Sequence, residues 1–224
     1  MNKNIFVACD VSGQKEILEL LSKIHKEISG IKIGLQYITQ HSPEEIKELS
    51  KFNKPIFYDG KFFDIKNTLV ESVKSLKNLN ISYATVHLLN GLTALKAANE
   101  AANDINIKLL GVSVLTSFDN KELEHLGFKD QVEKQVLRLI KIADEANLYG
   151  VICSPLEIKI IKKVAPSLKC FTPGIRQDED KNDQKRTLNA KQALEAGSDC
   201  LIIGRPITNG DPKKNIQKIL SSIN

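Results

Sequence analysis

The sequence predicts an α/β fold, a single (β/α)8 barrel of the TIM type, and three observations carry that prediction. Eight short apolar runs rich in β-branched residues recur at residues 4–10, 30–35, 55–59, 83–88, 108–115, 150–154, 168–172 and 200–204. Stretches with the helical spacing of apolar residues lie between them. The whole array occupies 224 residues, close to the roughly 250 usual for eight strand-plus-helix units.

The units follow in order. "NIFVACD" ends on Asp10, and "EILELLSKIHKEI" then places Ile17, Leu20, Leu21, Ile24 and Ile28 on one helical face. "GIKIGL" carries Lys32, and "PIFYD" ends on Asp59, with Lys61 just beyond. "YATVHL" holds His87, and "KLLGVSVL" runs up to Thr116 and Ser117. "QVEKQVLRLIKIADEA" sets Val132, Val136, Leu139 and Ile140 on one face. "GVICS" ends on Ser154 and is followed by the amphipathic "LEIKIIKKVA". "LKCFT" precedes Pro173 and Gly174, and "CLIIG" precedes Arg205, with "NIQKILSSI" closing the chain. Near-continuously apolar strands that alternate with amphipathic helices imply a parallel sheet covered by helices. A doubly wound open sheet competes, but the regular count of eight and the lack of G-x-G-x-x-G after the first run weaken it. No Pro/Gly-rich linker or low-complexity segment interrupts the pattern, so one domain over residues 1–224 is expected.

Composition narrows the function classes. Hydrophobic residues make up 42% and charged residues 26%, as in an ordinary globular protein. The net charge of +5 is spread over interleaved acids and bases, which argues against nucleic acid as a partner and suits an anionic small ligand. Cys9, Cys153, Cys170 and Cys200 lie in apolar runs without a C-x-x-C pair, the pattern of buried reduced thiols. No run approaches the roughly 20 apolar residues of a membrane span, and "MNKNIFVACD" lacks signal-peptide features. A cytoplasmic protein with no membrane partner is expected. His25, His41, His87 and His125 show no paired His/Glu spacing, so no metal site is expected.

In such barrels the active site lies at the C-terminal ends of the strands. The runs end in Asp10, Lys32, Asp59 with Lys61, His87, Thr116 with Ser117, Ser154, Pro173 with Gly174, and Gly204 with Arg205. For any one position, a strand turning polar as it meets solvent is the better explanation; for the set, a site is. Strand alternation sends Asp59 and Lys61 to the same side and Gly60 to the helix layer. Asp64 follows one short turn later. Two flanking carboxylates favour the charged ammonium. Such a lysine is a poor base or Schiff-base nucleophile but is suited to stabilising developing negative charge and then delivering a proton. Alone the triplet is a weak signal, because such triplets are common on surfaces.

The segment "TPGIRQDEDKNDQKR", residues 172–186, is long and polar, with Arg176, Lys185 and Arg186 flanking acids; loops of this length are often lids. Loops after strands seven and eight form the recurrent phosphate site of these barrels. Backbone N–H groups near Gly204 and the Arg205 guanidinium would suit a phosphate dianion, a structural ion pair of Arg205 being the alternative. His87 is as well read as a hydrogen-bonded structural residue as a ligand contact. Thr116 and Ser117 have no recognisable His/Asp base, which counts against acyl transfer.

At Asp59, Lys61 and Asp64 the motif D-x-K-x-x-D, continued as "DIKNT", resembles the signature of the orotidine 5'-phosphate decarboxylase family. "ACD" (8–10), "IKIGL" (31–35), "VLTS" (114–117), "VICSP" (151–155), "TPGIR" (172–176), "NDQKR" (182–186) and "IIGRPIT" (202–208) follow in the family's order. The resemblance covers essentially the whole chain. It implies decarboxylation of orotidine 5'-phosphate to uridine 5'-phosphate, the last step of de novo UMP synthesis, with no metal or organic cofactor. It implies that Lys61 protonates C6 and that Asp59 sits against the departing carboxylate. Asp64, Ile65 and Thr68 would reach into the neighbouring subunit's site in a homodimer. Asp10 and Lys32 would bind ribose hydroxyls, and Thr116 and Ser117 would lie near the pyrimidine. Arg176, Gln184, Gly204 and Arg205 would line the phosphate side, under a lid formed by residues 176–186.

The chain departs from the family pattern in four places. Gly60 and Phe63 replace the usual Leu and His, Lys66 stands where Pro is common, and "HLLNG" replaces His-Ala-Ser/Gly-Gly. Gly60 is expected to cost about 0.5–1 kcal/mol, and Phe63 to alter dimer packing near Asp64. Two other readings stay open: a Mg²⁺-dependent sugar-phosphate decarboxylase or aldolase sharing D-x-K-x-x-D, and a non-catalytic nucleotide-phosphate binding barrel. "DIKNT", "TPGIR" and "NDQKR" favour the orotidine enzyme over the first, and the intact charged triplet argues against the second.

Overall fold

The computed structural model describes residues 4–10, 13–176 and 187–223. Eight strands, β1 Ile5–Ala8, β2 Gly30–Gly34, β3 Ile56–Phe62, β4 Ile81–His87, β5 Lys108–Val112, β6 Gly150–Ile152, β7 Lys169–Thr172 and β8 Cys200–Ile203, close into a barrel in chain order. Every neighbouring pair is parallel, including β8 back to β1 through Ile5 and Leu201. This is the (β/α)8 barrel that the alternating pattern predicts. All eight runs form strands; β3 extends past the expected Asp59 to Phe62, and β4 starts at Ile81 rather than Tyr83.

Some helices are marked by apolar spacing and others by a side-chain cap at the first turn. Gln14–Ile24 buries Ile17, Leu20, Leu21 and Ile24, while Ile28 is buried beyond the helix end, in the approach to β2. Val132–Glu145 buries Val136, Leu139 and Ile140, with Val132 only partly covered in its first turn. Pro43–Glu48 starts from a capping box between Ser42 and Glu45, and Pro212–Ser222 starts where the Asp211 carboxylate accepts from the Lys213 and Lys214 amides. Each cap satisfies amides that the first helical turn leaves open.

Strand alternation divides the core in two. Val7, Ile31, Ile33, Ala84 and Val86 pack outward with the helices, while Phe6, Phe57, Leu110, Phe171 and Ile202 fill the barrel. Low in the barrel, Phe6, Phe57, Tyr83, Tyr149 and Phe171 form a cluster of mainly edge-on contacts, such as Phe6 to Tyr83 at 5.6 Å and Phe57 to Phe171 at 6.1 Å between centroids. Lys108, the first residue of β5, lays its ammonium 4.5 Å from the Tyr149 ring centre. The aromatic plug closes the N-terminal end, so the polar residues collect at the other.

Candidate active site

A cavity of about 490 Å³ opens at the C-terminal end of the barrel, with Asp10, Lys32, Asp59, Lys61, Thr116, Arg176, Gly204 and Arg205 in its wall. Its charged floor is a row of alternating sign. Lys32 Nζ lies 2.9 Å from Asp10 Oδ1 and 3.6 Å from Asp59 Oδ2. Lys61 Nζ donates to Asp59 Oδ2 at 2.9 Å. Lys32 sits within β2 rather than at its end, and it and Asp59 are buried, at 7% and 9% exposure.

Burial sets the electrostatics. It disfavours the Lys32 ammonium, but Asp59 and Asp10 outweigh it and hold the lysine above its ordinary pKa. Burial likewise opposes ionisation of Asp59. Lys32 and Lys61, with hydrogen bonds from Lys61 and Thr85, prevail and hold it below the ordinary carboxylate value. Burial pushes the Cys9 thiol up to about 12, against the pull of Lys32, so Cys9 is a neutral core group. Gly34 leaves room for the row, since a Cβ there would stand 2.8 Å from Asp10 Oδ1 and 3.1 Å from Lys32 Nζ.

Asp59 and Lys61 do meet, but not by simple alternation. Lys61 takes a left-handed conformation, φ 48°, which costs a non-glycine residue about 1–2 kcal/mol. The β3–β4 register slips between Tyr58 and Phe62, and the Lys61 amide donates to Thr85 Oγ1 at 2.8 Å. Gly60 faces outward, as alternation requires, and its missing side chain is filled space: a Cβ would come within 2.7 Å of the Tyr58 ring, which stacks on Phe62 at 5.7 Å. The expected cost of this glycine therefore accompanies an aromatic pair that a leucine would displace.

Asp64, Ile65 and Thr68 are exposed and do not line this chain's cavity. Asn90 fixes their approach: its Oδ1 accepts from the Asp64 amide at 3.0 Å, and its Nδ2 donates to the Phe62 and His87 carbonyls at 2.9 and 2.7 Å. Phe63 is 63% exposed, with its ring 5.6 Å from that of His87. His87 lies outside the cavity wall. Burial, then the Lys61 charge, lowers its pKa, and its Nδ1 accepts from the Leu89 amide at 3.3 Å. Ser117 is exposed and outside the wall, whereas Thr116 is in it. Arg205 opens the short helix Arg205–Thr208 behind Gly204. Arg176 is anchored by its amide to the Leu188 carbonyl and by Nη1 to the Ile175 carbonyl, each at 3.0 Å. Gln184 and the rest of 177–186 fall outside the described residues.

Glu16, Thr208 and Asn209 also line the cavity, and Thr85 and Asn90 support it; the sequence reading missed all five. Thr85 carried a usable signal, as a polar residue inside the apolar run "YATVHL" two positions before His87. Among the described residues, no group of three or more His, Cys, Asp or Glu side chains is arranged to hold a metal ion. No described helix is long and apolar enough to cross a membrane.

Fold and site together define a (β/α)8 barrel with a small-molecule pocket of alternating charge at its C-terminal mouth. Comparison with known proteins agrees. A family model described as orotidine 5'-phosphate decarboxylase / HUMPS family matches residues 3–219. Orotidine 5'-phosphate decarboxylase of Ehrlichia canis (strain Jake) is 38% identical over 222 residues, covering 98% of this chain and 97% of its own. That of Wolbachia pipientis subsp. Culex pipiens (strain wPip) is 36% identical over 221 residues, covering 98% of each. The crystal structure of orotidine 5'-phosphate decarboxylase from Lactobacillus acidophilus superposes with a TM-score of 0.86 at 31% identity, covering 99% of each chain. The chain belongs to the orotidine 5'-phosphate decarboxylase / HUMPS family.

Proposed function

We propose that this protein decarboxylates orotidine 5'-phosphate to uridine 5'-phosphate and carbon dioxide, without metal or organic cofactor, as the last step of UMP synthesis. The observation that carries the reading is the Asp10–Lys32–Asp59–Lys61 row, with the Lys61 ammonium 2.9 Å from Asp59 at the cavity floor. Loss of carbon dioxide leaves a poorly delocalised carbanion at C6. A fixed ammonium stabilises charge that grows only as the bond breaks, and Lys61 then gives C6 its proton. Asp59 faces the departing carboxylate and holds Lys61. Asp10 and Lys32 take the ribose hydroxyls, and Thr116, in the cavity wall, lies toward the pyrimidine, with Ser117, exposed outside the wall, next to it in the chain. Arg176, Gly204 and Arg205, with Gln184, receive the phosphate, whose remote binding orders the site.

The working unit in this proposal is a homodimer in which Asp64, Ile65 and Thr68 complete the neighbour's pocket. Ile65 is 74% exposed, and with Phe63, Leu89 and Leu35, also exposed, it supplies apolar surface that a partner subunit would cover. The family match over residues 3–219 supports a single domain. The four cysteines are free and buried, which fits a reducing cytoplasm.

The test is to incubate the protein with orotidine 5'-phosphate in the presence of EDTA and follow the loss of orotate absorbance. Steady turnover indifferent to the chelator is expected. No turnover, or turnover restored only by Mg²⁺, overturns the reading in favour of a sugar-phosphate relative or a binding barrel.

A further inference from the structure

We propose that Thr85 is a positioning residue, whose hydroxyl ties the Asp59 carboxylate and the Lys61 backbone to one point and so sets the place from which the Lys61 ammonium acts. The proposal rests on the decarboxylase reading for Lys61, but its geometry does not. Thr85 is fully buried. Its Oγ1 donates to Asp59 Oδ1 at 3.0 Å and accepts from the Lys61 amide at 2.8 Å.

The polarity of these bonds is fixed. An amide can only donate, so the hydroxyl must accept from Lys61, and its single proton is left for the carboxylate. Asp59 is then held through both oxygens, Oδ1 by Thr85 and Oδ2 by the two lysines. That arrangement leaves the carboxylate little freedom to rotate.

The backbone gives the hydroxyl a second task. Tyr58 pairs with Ala84 and Phe62 with Val86, so Asp59, Gly60 and Lys61 stand opposite the single residue Thr85. Extra residues on one strand leave ladder groups unpaired. The Thr85 side chain supplies an acceptor to the Lys61 amide at the point where Lys61 turns left-handed. A partly buried amide without a partner would otherwise favour a different backbone path. One side chain from β4 thus fixes both the carboxylate and the start of the lysine.

The test compares Thr85→Val, which keeps the shape and removes the hydroxyl, with Thr85→Ser, which keeps the hydroxyl. For Thr85→Val, kcat on orotidine 5'-phosphate should fall by about a hundredfold, as a displacement near 1 Å can cost, while KM changes less than about threefold. Hydrogen exchange at the Lys61 amide should speed up in Thr85→Val and stay slow in Thr85→Ser, which should also recover most of kcat. Unchanged kcat and unchanged Lys61 protection in Thr85→Val overturn the proposal. So does a loss of kcat that Thr85→Ser shares, since that marks a packing role. If the wild type does not turn over orotidine 5'-phosphate, the decarboxylase reading fails, and the exchange comparison still decides whether the hydroxyl holds Lys61. Should Thr85→Val not fold, Thr85→Ala is read in the same way.

Discussion

Lys32 and Lys61 converge on one atom, Asp59 Oδ2, from adjacent strands, at 3.6 and 2.9 Å. Lys32 has a second carboxylate in Asp10 at 2.9 Å. In the proposed reaction this divides the labour. When Lys61 gives up its proton, Asp59 still faces the Lys32 ammonium, so no buried carboxylate is left uncompensated.

Asp59→Asn removes that shared carboxylate and leaves two ammonium groups facing an uncharged amide. Breaking a buried ion pair from one side is strongly destabilising, so a loss of about 3 kcal/mol is expected in urea denaturation. Turnover should drop by at least about a thousandfold as the ammonium loses its fixed position. A variant of wild-type stability would show that Lys32 and Lys61 do not depend on Asp59.

If Asp64 serves the partner's pocket, Lys61→Ala and Asp64→Ala proteins, each inactive alone, should regain activity when mixed under subunit exchange. Random pairing makes about half the dimers mixed, each with one intact site, so about a quarter of wild-type activity is expected for a two-fold dimer. Continued inactivity after proven exchange places Asp64 in its own chain's site. Ile65→Lys should shift the protein to monomer in sedimentation and remove activity with it.

His87 makes stability pH-dependent near neutrality. Its folded pKa lies below the unfolded value of about 6.5, so the unfolded chain binds the proton more readily as pH falls. Its neutral form therefore supports the fold above about pH 6.5, and that support is lost as pH drops through the lower folded value. The Asp59 contribution is lost only at more acidic pH, below the ordinary carboxylate range, and the Lys32 contribution only as pH rises through its raised value. Thermal melts between pH 7.5 and 5 should show a decline that His87→Asn flattens. An unchanged slope in His87→Asn would assign the decline to another group.

Gly34→Ala tests whether the Asp10–Lys32 end of the row binds ligand. The new Cβ presses on the ends of two flexible side chains, so the fold should tolerate it while both are displaced. Losing one charge-assisted hydrogen bond to a ribose hydroxyl corresponds to a rise in KM of at least about tenfold, measured well below the melting temperature, which should itself fall as Lys32 is pushed from its carboxylate partners. A normal KM would separate this pair from substrate binding.

The barrel was legible because most of the apolar runs match strands buried on both faces and the longer helices, such as Gln14–Ile24 and Val132–Glu145, keep a 3.6-residue stripe. The meeting of Asp59 and Lys61 was legible too, though for an incomplete reason. Alternation describes a regular strand, whereas the left-handed Lys61 depends on a hydroxyl 24 residues away on the next strand. Thr85 drew no notice because threonine is an ordinary strand former. Gly60 read as a pure cost because the ring of Tyr58 in its place cannot be seen in one dimension. Lys32 was expected at the tip of its strand, but it lies within the strand, where only Asp10 and Asp59 make its burial tolerable.

The aromatic plug formed by Phe6, Phe57, Tyr83, Tyr149 and Phe171 has a consequence for traffic. With its base stoppered, the barrel is a blind well rather than a tunnel. In the proposed reaction, substrate comes in through the same doorway by which nucleotide and gas leave. Successive molecules therefore queue instead of passing through, and under the proposed reaction the slow step at saturation can be the emptying of the well rather than the breaking of a bond.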